Sequence, residues 1–399
     1  MELRAGYKNT EIGVIPEDWD SVPMGEVGKT IIGLTYSPND VAEYGTLVLM
    51  SSNVQQNQLK YENNVFVEME LPKRVIVKEN DILICVRNGS KHLIGKCALI
   101  DKEAEGFAFG AFMSIYRSKY SKFIFYSFQS NGIQVQIDET MGATINQLTN
   151  KNLSEFQIPL PPLPEQTAIA TVLSDTDNLL QALEKKIAKK RLIKQGAMQE
   201  LLKPKEDWVM KSLGDIATMS SGGTPSTKNT EYYNGKILWV SISDITKAGK
   251  FIDDSLNKIT GKGLLNSSAK IFSKNTVLLA MYASIGKCCI ATSEMSTSQA
   301  ILGIEVHKSL LNEYLYYFLL FNRVKLASQG QQGTQSNLNK GMVENINLPL
   351  PSIKEQTQIV TILSDMDTEI ESLEKQLSKY KQVKQGVMQN LLTGKIRLV

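Results

Sequence analysis

Two stretches of the chain carry apolar residues at alternating spacings of four and three. In the first they stand at Ile169, Leu173, Leu180, Leu183 and Ile187, with Thr176 holding the intervening seam position. In the second they are Ile359, Leu363, Met366, Ile370, Leu373, Leu377 and Tyr380. This is a heptad seam, which packs as a coiled coil. Val383, Val387 and Leu391 then leave that register, the pattern of a local overwinding. A proline-rich strip precedes each stretch, Pro159–Pro164 and Pro349–Pro351, favouring extended chain and then a helix start. A helix of about 38 residues would be about 57 Å long at a rise of about 1.5 Å per residue. An exposed seam of that length is costly, so each helix needs a partner, and the other stretch is the obvious one. Gly196 and Gly386 fall inside both helices at matching places. Each should cost about 1 kcal/mol relative to alanine, explained either by close backbone approach or by a kink.

Elsewhere the pattern changes. Val75–Val77, Asp81–Val86, Ile237–Ile242 and Thr276–Met281 are short runs rich in β-branched and apolar residues, punctuated by Gly, Asn, Ser and Pro. They predict strands and turns. Asn312–Phe321 predicts a short helix.

The two patterns are organised by a repeat. Residues 158–202 and 348–392 align without a gap at an offset of 190, with about half of the positions identical. Duplication explains this, and repeats of this kind set the architecture. Weaker matches precede the helices. Glu17-Asp18-Trp19 corresponds to Glu206-Asp207-Trp208, and Ile94-Gly95-Lys96-Cys97 to Ile285-Gly286-Lys287-Cys288. Gly142-Ala143-Thr144 matches Gly333-Thr334-Gln335 in its glycine. The rest has diverged. The expected fold is therefore α+β: two globular domains, 1–157 and 204–347, separated and joined by two long antiparallel coiled-coil helices in 158–203 and 348–399, as a pseudo-two-fold internal repeat. Globules of this size are ordinary single domains.

Charge adds little. Net charge is +3, so any nucleic-acid contact must be local. The four cysteines (Cys85, Cys97, Cys288, Cys289) form no C-x-x-C pair, and His92 and His307 are the only histidines. A zinc site would have to be assembled from scattered residues, and few free thiols suit a reducing cytoplasm. The opening MELRAGYKNTEIG has no apolar signal core, and stretches such as Tyr314–Phe321 are too short to span a bilayer. The expectation is a soluble cytoplasmic protein with no membrane partner.

Signatures of catalysis are missing. Gly28-Lys29-Thr30 resembles the end of a phosphate-binding loop, but the required first glycine is Pro23; Ile285-Gly286-Lys287-Cys288 fails at Met281 and at the cysteine. There is no G-x-G-x-x-G after a strand, no G-x-S-x-G, no H-E-x-x-H and no Asn/Asp-Pro-Pro-aromatic motif. With two histidines, acid–base chemistry would rest on carboxylates or lysines. The chain reads as a non-enzyme that binds no cofactor.

The strip LPLPxxxEQTxIxxxLS, followed by a helix ending KQGxMQxLLTGKIRL, resembles the specificity subunit of type I restriction-modification enzymes. So do the opening GYKNTEIGVIPEDW, the run Ser221-Gly222-Gly223-Thr224-Pro225-Ser226, Glu231-Tyr232-Tyr233 and Trp239-Val240-Ser241. The likeness spans essentially the whole chain. It implies two target recognition domains, each reading one half of a split double-stranded DNA sequence, with the helices as spacer. It also implies two docked modification (methyltransferase) subunits that methylate adenine N6, and restriction subunits that join afterwards. S-adenosylmethionine, ATP and magnesium would belong to those partners. Glu165, Gln166, Glu355 and Gln356 are the expected partner-docking residues.

Base readout needs donors and acceptors on loops that enter the major groove. In the second domain the candidates are Gly222, Gly223, Thr224, Pro225, Ser226 and Lys228, then Ser241 and Asp244, Tyr282 and Ser284, and the amide-rich Gln332, Thr334, Gln335 and Asn337. In the first they are Arg87, Asn88, Ser90 and Lys91, after the run Asp81–Val86, with Ser51, Ser52, Asn53, Thr144 and Asn146. Gly33-Leu34-Thr35-Tyr36-Ser37-Pro38 stands roughly where the GGTPS loop would be. The basic run Lys185, Lys186, Lys189, Lys190, Arg191 and Lys194 reads as a solvated coiled-coil face, an acidic partner's dock or a DNA-backbone track. Two other functions remain open on sequence: a specificity subunit serving a fused nuclease–methyltransferase, and a coiled-coil adaptor that never touches DNA.

Overall fold

A computed structural model describes residues 5–141, 146–329 and 337–398. The chain divides into two compact units. One is residues 1–184 with 376–399, and the other is residues 185–375.

In the first unit an antiparallel sheet runs in the order Cys97–Leu99, Ile82–Cys85, Met113–Arg117, Lys29–Ile32. A second sheet runs Ala108–Phe109, Thr46–Leu49, Phe66–Val67, Val41–Ala42, and its first pair is parallel. Ile82–Cys85 is buried along its whole length, which is why it reads as a continuous apolar run. Helices Ser121–Phe128 and Asn131–Thr140 cover the first sheet. The strip Gln157–Leu160 is extended and pairs antiparallel with Asp20–Pro23. A two-stranded ribbon tolerates the prolines at 159 and 23 because their missing N–H groups can face away from the partner.

The second unit repeats this plan. Its larger sheet runs Ala217–Ser221, Ile301–Val306, Val277–Ala280, Cys288–Ala291, Phe251–Ile252. Its smaller one runs Asn257–Ile259, Tyr233–Val240, Met295–Thr297, Ile271–Phe272, with Tyr233–Val240 and Met295–Thr297 parallel. Helix Asn312–Phe321 packs its aromatic face into the core. Asn347–Leu350 pairs with Val209–Ser212. Diverged sequences thus keep the four central strands of the larger sheet and the parallel pair of the smaller one, while the edge strands Val41–Ala42, Phe251–Ile252 and Ile271–Phe272 differ.

Both heptad stretches are helical: Leu163–Leu201 and Ile353–Leu392. Each unit contains part of both, running antiparallel. In the first unit Lys381 pairs with Glu184 at 2.7 Å and Lys384 with Asp177 at 2.5 Å. In the second Arg191 pairs with Glu374 at 2.6 Å, Lys190 with Glu369 at 2.7 Å, and Lys194 with Asp367. Half of the basic run is thus spent on ion pairs with the neighbouring helix. Leu180, Leu183, Ile187, Ile370 and Leu373 are buried, as the seam predicts; Ile169, Leu173, Ile359 and Leu363 are buried in the cores of the globules, and Met366, Leu377 and Tyr380 are half-buried. The register change near residue 383 accompanies a change of partner: Val387, Met388, Leu391 and Leu392 join the first unit's core, while Val383 is exposed. Met198 and Leu202 do the same for the second unit.

Gly196 and Gly386 correct one expectation. A Cβ added at either would meet no atom within 4 Å, so close backbone approach does not explain them. Both lie in uninterrupted helix.

Candidate nucleic-acid interface and the junctions behind it

In the first unit, loops at the end of strand Ile82–Cys85 converge. Val86 and Arg87 donate their backbone N–H groups to the Phe112 carbonyl at 3.0 and 3.1 Å, and Leu148 N–H donates to the Val86 carbonyl at 2.8 Å. Arg87 is bridged to Gln147. The Asn146 amide donates to the Gly89 carbonyl at 3.1 Å, and the Asn88 amide to Ser51 Oγ at 3.2 Å. Ser51, Arg87, Asn88 and Asn146 are therefore brought to one edge, with Ser52, Ser90 and Lys91 exposed beside them. The Arg87 guanidinium lies 5.1 Å from the ring centre of Phe112, an exposed aromatic. Stacking of this kind holds an arginine fork in place.

The second unit builds the same edge from other residues. Leu338 N–H donates to the Met281 carbonyl at 3.0 Å, and Met281 N–H to the Ala300 carbonyl at 2.9 Å. Around them stand the exposed Tyr282, Ser284 hydrogen-bonded to Thr246 (3.0 Å), Ser241 to Ser243 (2.8 Å), Thr224 to Gln299, and Asn337. Such an edge offers hydroxyls, amides and a phenol, where the first offers a guanidinium, amides and hydroxyls.

The matched Ile-Gly-Lys-Cys segments support both edges. Gly95 (φ +85°) and Gly286 (φ +74°) occupy the left-handed region that glycine adopts without strain. Lys96 donates to the carbonyls of Ser51 and of Val54 (3.1 Å), and Lys287 to that of Thr246 (2.8 Å). Lys96 thus holds the Ser51–Val54 turn, and Lys287 holds the short helix Ile242–Lys247.

Several sequence-derived candidates turn out to support the fold. Asn53 is fully buried: its side chain accepts from Met50 N–H (2.9 Å) and donates to the Lys60 carbonyl and Asn64. Asp244 accepts from Ser241 N–H and Oγ (2.8 and 2.6 Å) and from Leu256 N–H (3.1 Å), so Ser241 and Asp244 form a helix cap. Gly222, Gly223 and Pro225 are buried. A Cβ on Gly222 would lie 2.1 Å from Thr297 Oγ1, and one on Gly223 would lie 2.3 Å from Ala269 N. The Trp239 indole donates to the Gly223 carbonyl at 2.9 Å, and Tyr233 OH to that of Pro225 at 2.6 Å. The glycines serve close packing; Ser226 and Lys228 remain exposed at the tip. Gly33 does the same work in the first unit, where a Cβ would stand 2.1 Å from the Gly110 carbonyl oxygen. Thr144, Gln332, Thr334 and Gln335 lie outside the described residues.

The Glu-Gln pairs also change role. Glu165, Gln166 and Gln356 are buried. Trp19 donates its indole N–H to Glu165 at 2.9 Å, and Trp208 to Glu355 at 3.5 Å. Gln166 and Gln356 donate to the carbonyls of Pro161 (2.7 Å) and Pro351 (2.9 Å). Each Glu-Asp-Trp motif and each Glu-Gln motif are thus two sides of one junction between domain start and helix start. The docking expectation is corrected for Glu165 and Gln356, because both are buried and hydrogen-bonded inside the chain; Gln166 is buried too, with its side-chain oxygen left unbonded among the described residues. Glu355 remains partly exposed. In the first unit Arg397 completes the junction, donating to Glu165 (2.6 and 2.7 Å) and Asp18 (3.0 and 2.7 Å). That guanidinium holds the Asp18 carboxyl below its usual range.

Sequence reasoning missed Phe112, Thr246 and Gln299 at the edges. It also missed Tyr126 and Tyr317, which donate to Asp177 and Asp367. The internal repeat could have exposed the tyrosines, since both lie in aromatic helices ahead of the long helices. Burial pushes the thiols of Cys97 and Cys289 up to about 12 and raises that of Cys288 further, so they are inert at neutral pH. Among the described residues no cluster of His, Cys, Asp and Glu could hold a metal, and no helix is long and apolar enough to cross a membrane.

Comparison with known proteins agrees with this geometry. The MjaX specificity subunit, a type I restriction enzyme protein of Methanocaldococcus jannaschii, is 27% identical over 98% of this chain and 97% of its own length. The EcoKI specificity subunit of Escherichia coli is 24% identical over 96% and 90%. The S subunit of a type I restriction-modification system from M. genitalium shares the fold with a TM-score of 0.61, at 16% identity over 98% of both chains. A chain from a structure of type I restriction-modification complex assembly gives 0.63 at 17% identity, over 96% of this chain and 99% of its own. A family model, the type I restriction modification DNA specificity domain, matches residues 16–191 and again 205–382. The chain belongs to the type I restriction-modification DNA specificity family and carries its domain twice.

Proposed function

We infer that this chain is the sequence-reading subunit of a type I restriction-modification enzyme, recognising a split, asymmetric DNA target through its two domains. The observation that carries this reading is the pair of unlike loop edges on one repeated frame. The first edge centres on Arg87, Asn88 and Ser51, the second on Tyr282, Ser284 and Gln299. An arginine fork suits guanine or phosphate, whereas amides suit adenine. Two different edges therefore read two different half-sites.

The chain serves a larger assembly and performs no bond chemistry itself. Exposed apolar residues recur at matching helix positions: Leu163 with Ile353, Val172 with Ile362, and Ile193 with Val383. Paired patches of this kind fit two copies of one partner, the modification subunit. That subunit brings S-adenosylmethionine, and the restriction subunits bring ATP and magnesium. The assembly works in the cytoplasm of a bacterium or archaeon.

Single-molecule methylome sequencing of the host with and without the gene tests the reading. One split motif, methylated at adenine in both halves, should vanish with the gene. Unchanged adenine methylation while the partner genes are intact would overturn it.

A further inference from the structure

We infer that a repeated tyrosine–aspartate–lysine knot fixes how each recognition domain is turned on its helix pair, and so selects the gap between half-sites that the protein accepts. The inference rests on the DNA-reading function above. In the first unit Tyr126 OH, from helix Ser121–Phe128, donates to Asp177 on the first long helix at 3.0 Å. Lys384 of the second long helix reaches the same carboxylate at 2.5 Å, and its ammonium lies 5.7 Å from the Tyr126 ring centre. In the second unit Tyr317 OH donates to Asp367 at 2.7 Å. Lys194 pairs with Asp367 and lies 5.5 Å from the Tyr317 ring centre. The helices have exchanged roles, with aspartate now on the second and lysine on the first. Ser364, which stands at the repeat offset from Ser174, is hydrogen-bonded to the Tyr317 phenol at 3.2 Å.

Three elements meet in each knot: a helix of the globule and both long helices. The tyrosines are buried. Burial and the adjoining carboxylate raise their phenol pKa values, so they stay protonated donors. The duplication serves as an internal control. The globules have diverged almost everywhere, yet this tyrosine is kept in both. General apolar packing would be satisfied by phenylalanine. A phenol aimed at a charged carboxylate fixes direction as well as contact. The second knot has extra ties: Lys250 donates to Ser364 at 2.8 Å and to Tyr317 OH at 3.4 Å, and pairs with Glu313.

The test uses the full chain with its modification partner, and duplexes carrying the methylated motif with its native gap or a gap one base pair longer or shorter. Tyr126→Phe should lose roughly tenfold of the discrimination against wrong gaps, the equivalent of one hydrogen bond to a charged group. Tyr317→Phe should lose about threefold, because Lys250 backs that knot. The bases read in each half should not change. Should Tyr126→Phe fail to fold, Asp177→Lys combined with Lys384→Asp keeps the ion pair while removing the acceptor beneath the phenol, and should relax gap selection equally. Wild-type gap discrimination in folded variants would overturn this inference alone. A wild-type complex that prefers no duplex at all would overturn the function on which it rests.

Discussion

The two units differ most where they face outward and least where they meet their helices. Tyr126, Asp177 and Lys384 repeat as Tyr317, Asp367 and Lys194. Trp19 and Glu165 repeat as Trp208 and Glu355. The loop edges share backbone hydrogen bonds but not side chains: Arg87 against Tyr282, and Phe112 in the first unit where Gln299 and Ala300 stand in the second. After duplication, joints must keep their geometry, because a shifted joint moves every group beyond it. An edge can change freely, because each loop residue alters only its own contact. Constancy at the joints and variety at the edges is what a frame for interchangeable readers requires.

One joint departs from this equivalence, and it gives the largest expected effect. Glu165 is wholly buried and depends on Arg397, whereas Glu355 is partly exposed beside Lys205 at 3.6 Å. Arg397→Met leaves a buried carboxylate with only an indole donor. It should cost roughly 3 kcal/mol, the low end for an uncompensated buried charge because Arg397 itself is partly solvated. Lys205→Met should leave the denaturation midpoint unchanged. Equal midpoints for the two variants in urea would remove the asymmetry.

Glycine at the sheet edge sharpens the likeness. Gly33→Ala and Gly222→Ala each drive a Cβ to 2.1 Å from backbone or hydroxyl oxygen. Both should be destabilised by about 2 kcal/mol, the usual cost of overpacking. A harmless Gly33→Ala would mean that the first unit lacks the close approach found in the second.

At the edges the variants should separate the units by what they read. Arg87→Ala should weaken binding by about 1–3 kcal/mol and relax one position of the first half-site only. Tyr282→Ala should affect only the second. Binding selections on randomised duplexes check both. Relaxation in the same half from both variants would break the assignment of one edge to one half-site.

The smallest effect has the opposite sign. Gly196→Ala and Gly386→Ala meet open space, and each should stabilise the helices by about 1 kcal/mol. Thermal melts showing a loss would restore a packing role for these glycines.

The sequence made the frame legible because its signals are local and periodic. Leu180, Leu183, Ile187, Ile370 and Leu373 could be placed by spacing alone, and they are buried. The extended strips before the helices followed from proline chemistry. What stayed hidden depended on partners far along the chain. Glu165 looks like a surface carboxylate until Trp19 and Arg397, separated from it by 146 and 232 residues, are seen to meet it. Likewise Gly222 and Gly223 look like a flexible reading loop until the Thr297 and Ser268 backbones are seen against them. Arg87 and Asn88 could be placed on an exposed loop because a polar cluster follows an apolar strand. Phe112 could not, since an exposed aromatic beside them has no sequence signature. The identity of the bases is not encoded in any pattern of apolar positions.

The most direct measurement is the methylome of a host carrying an exchanged chain, in which residues 213–338 are replaced by a second copy of residues 24–148. If each unit reads its own half-site through its own edge, the adenine-methylated motif should contain the first half-sequence twice and lose the second. A motif that keeps its two unlike halves, from a folded exchanged chain, would contradict the account.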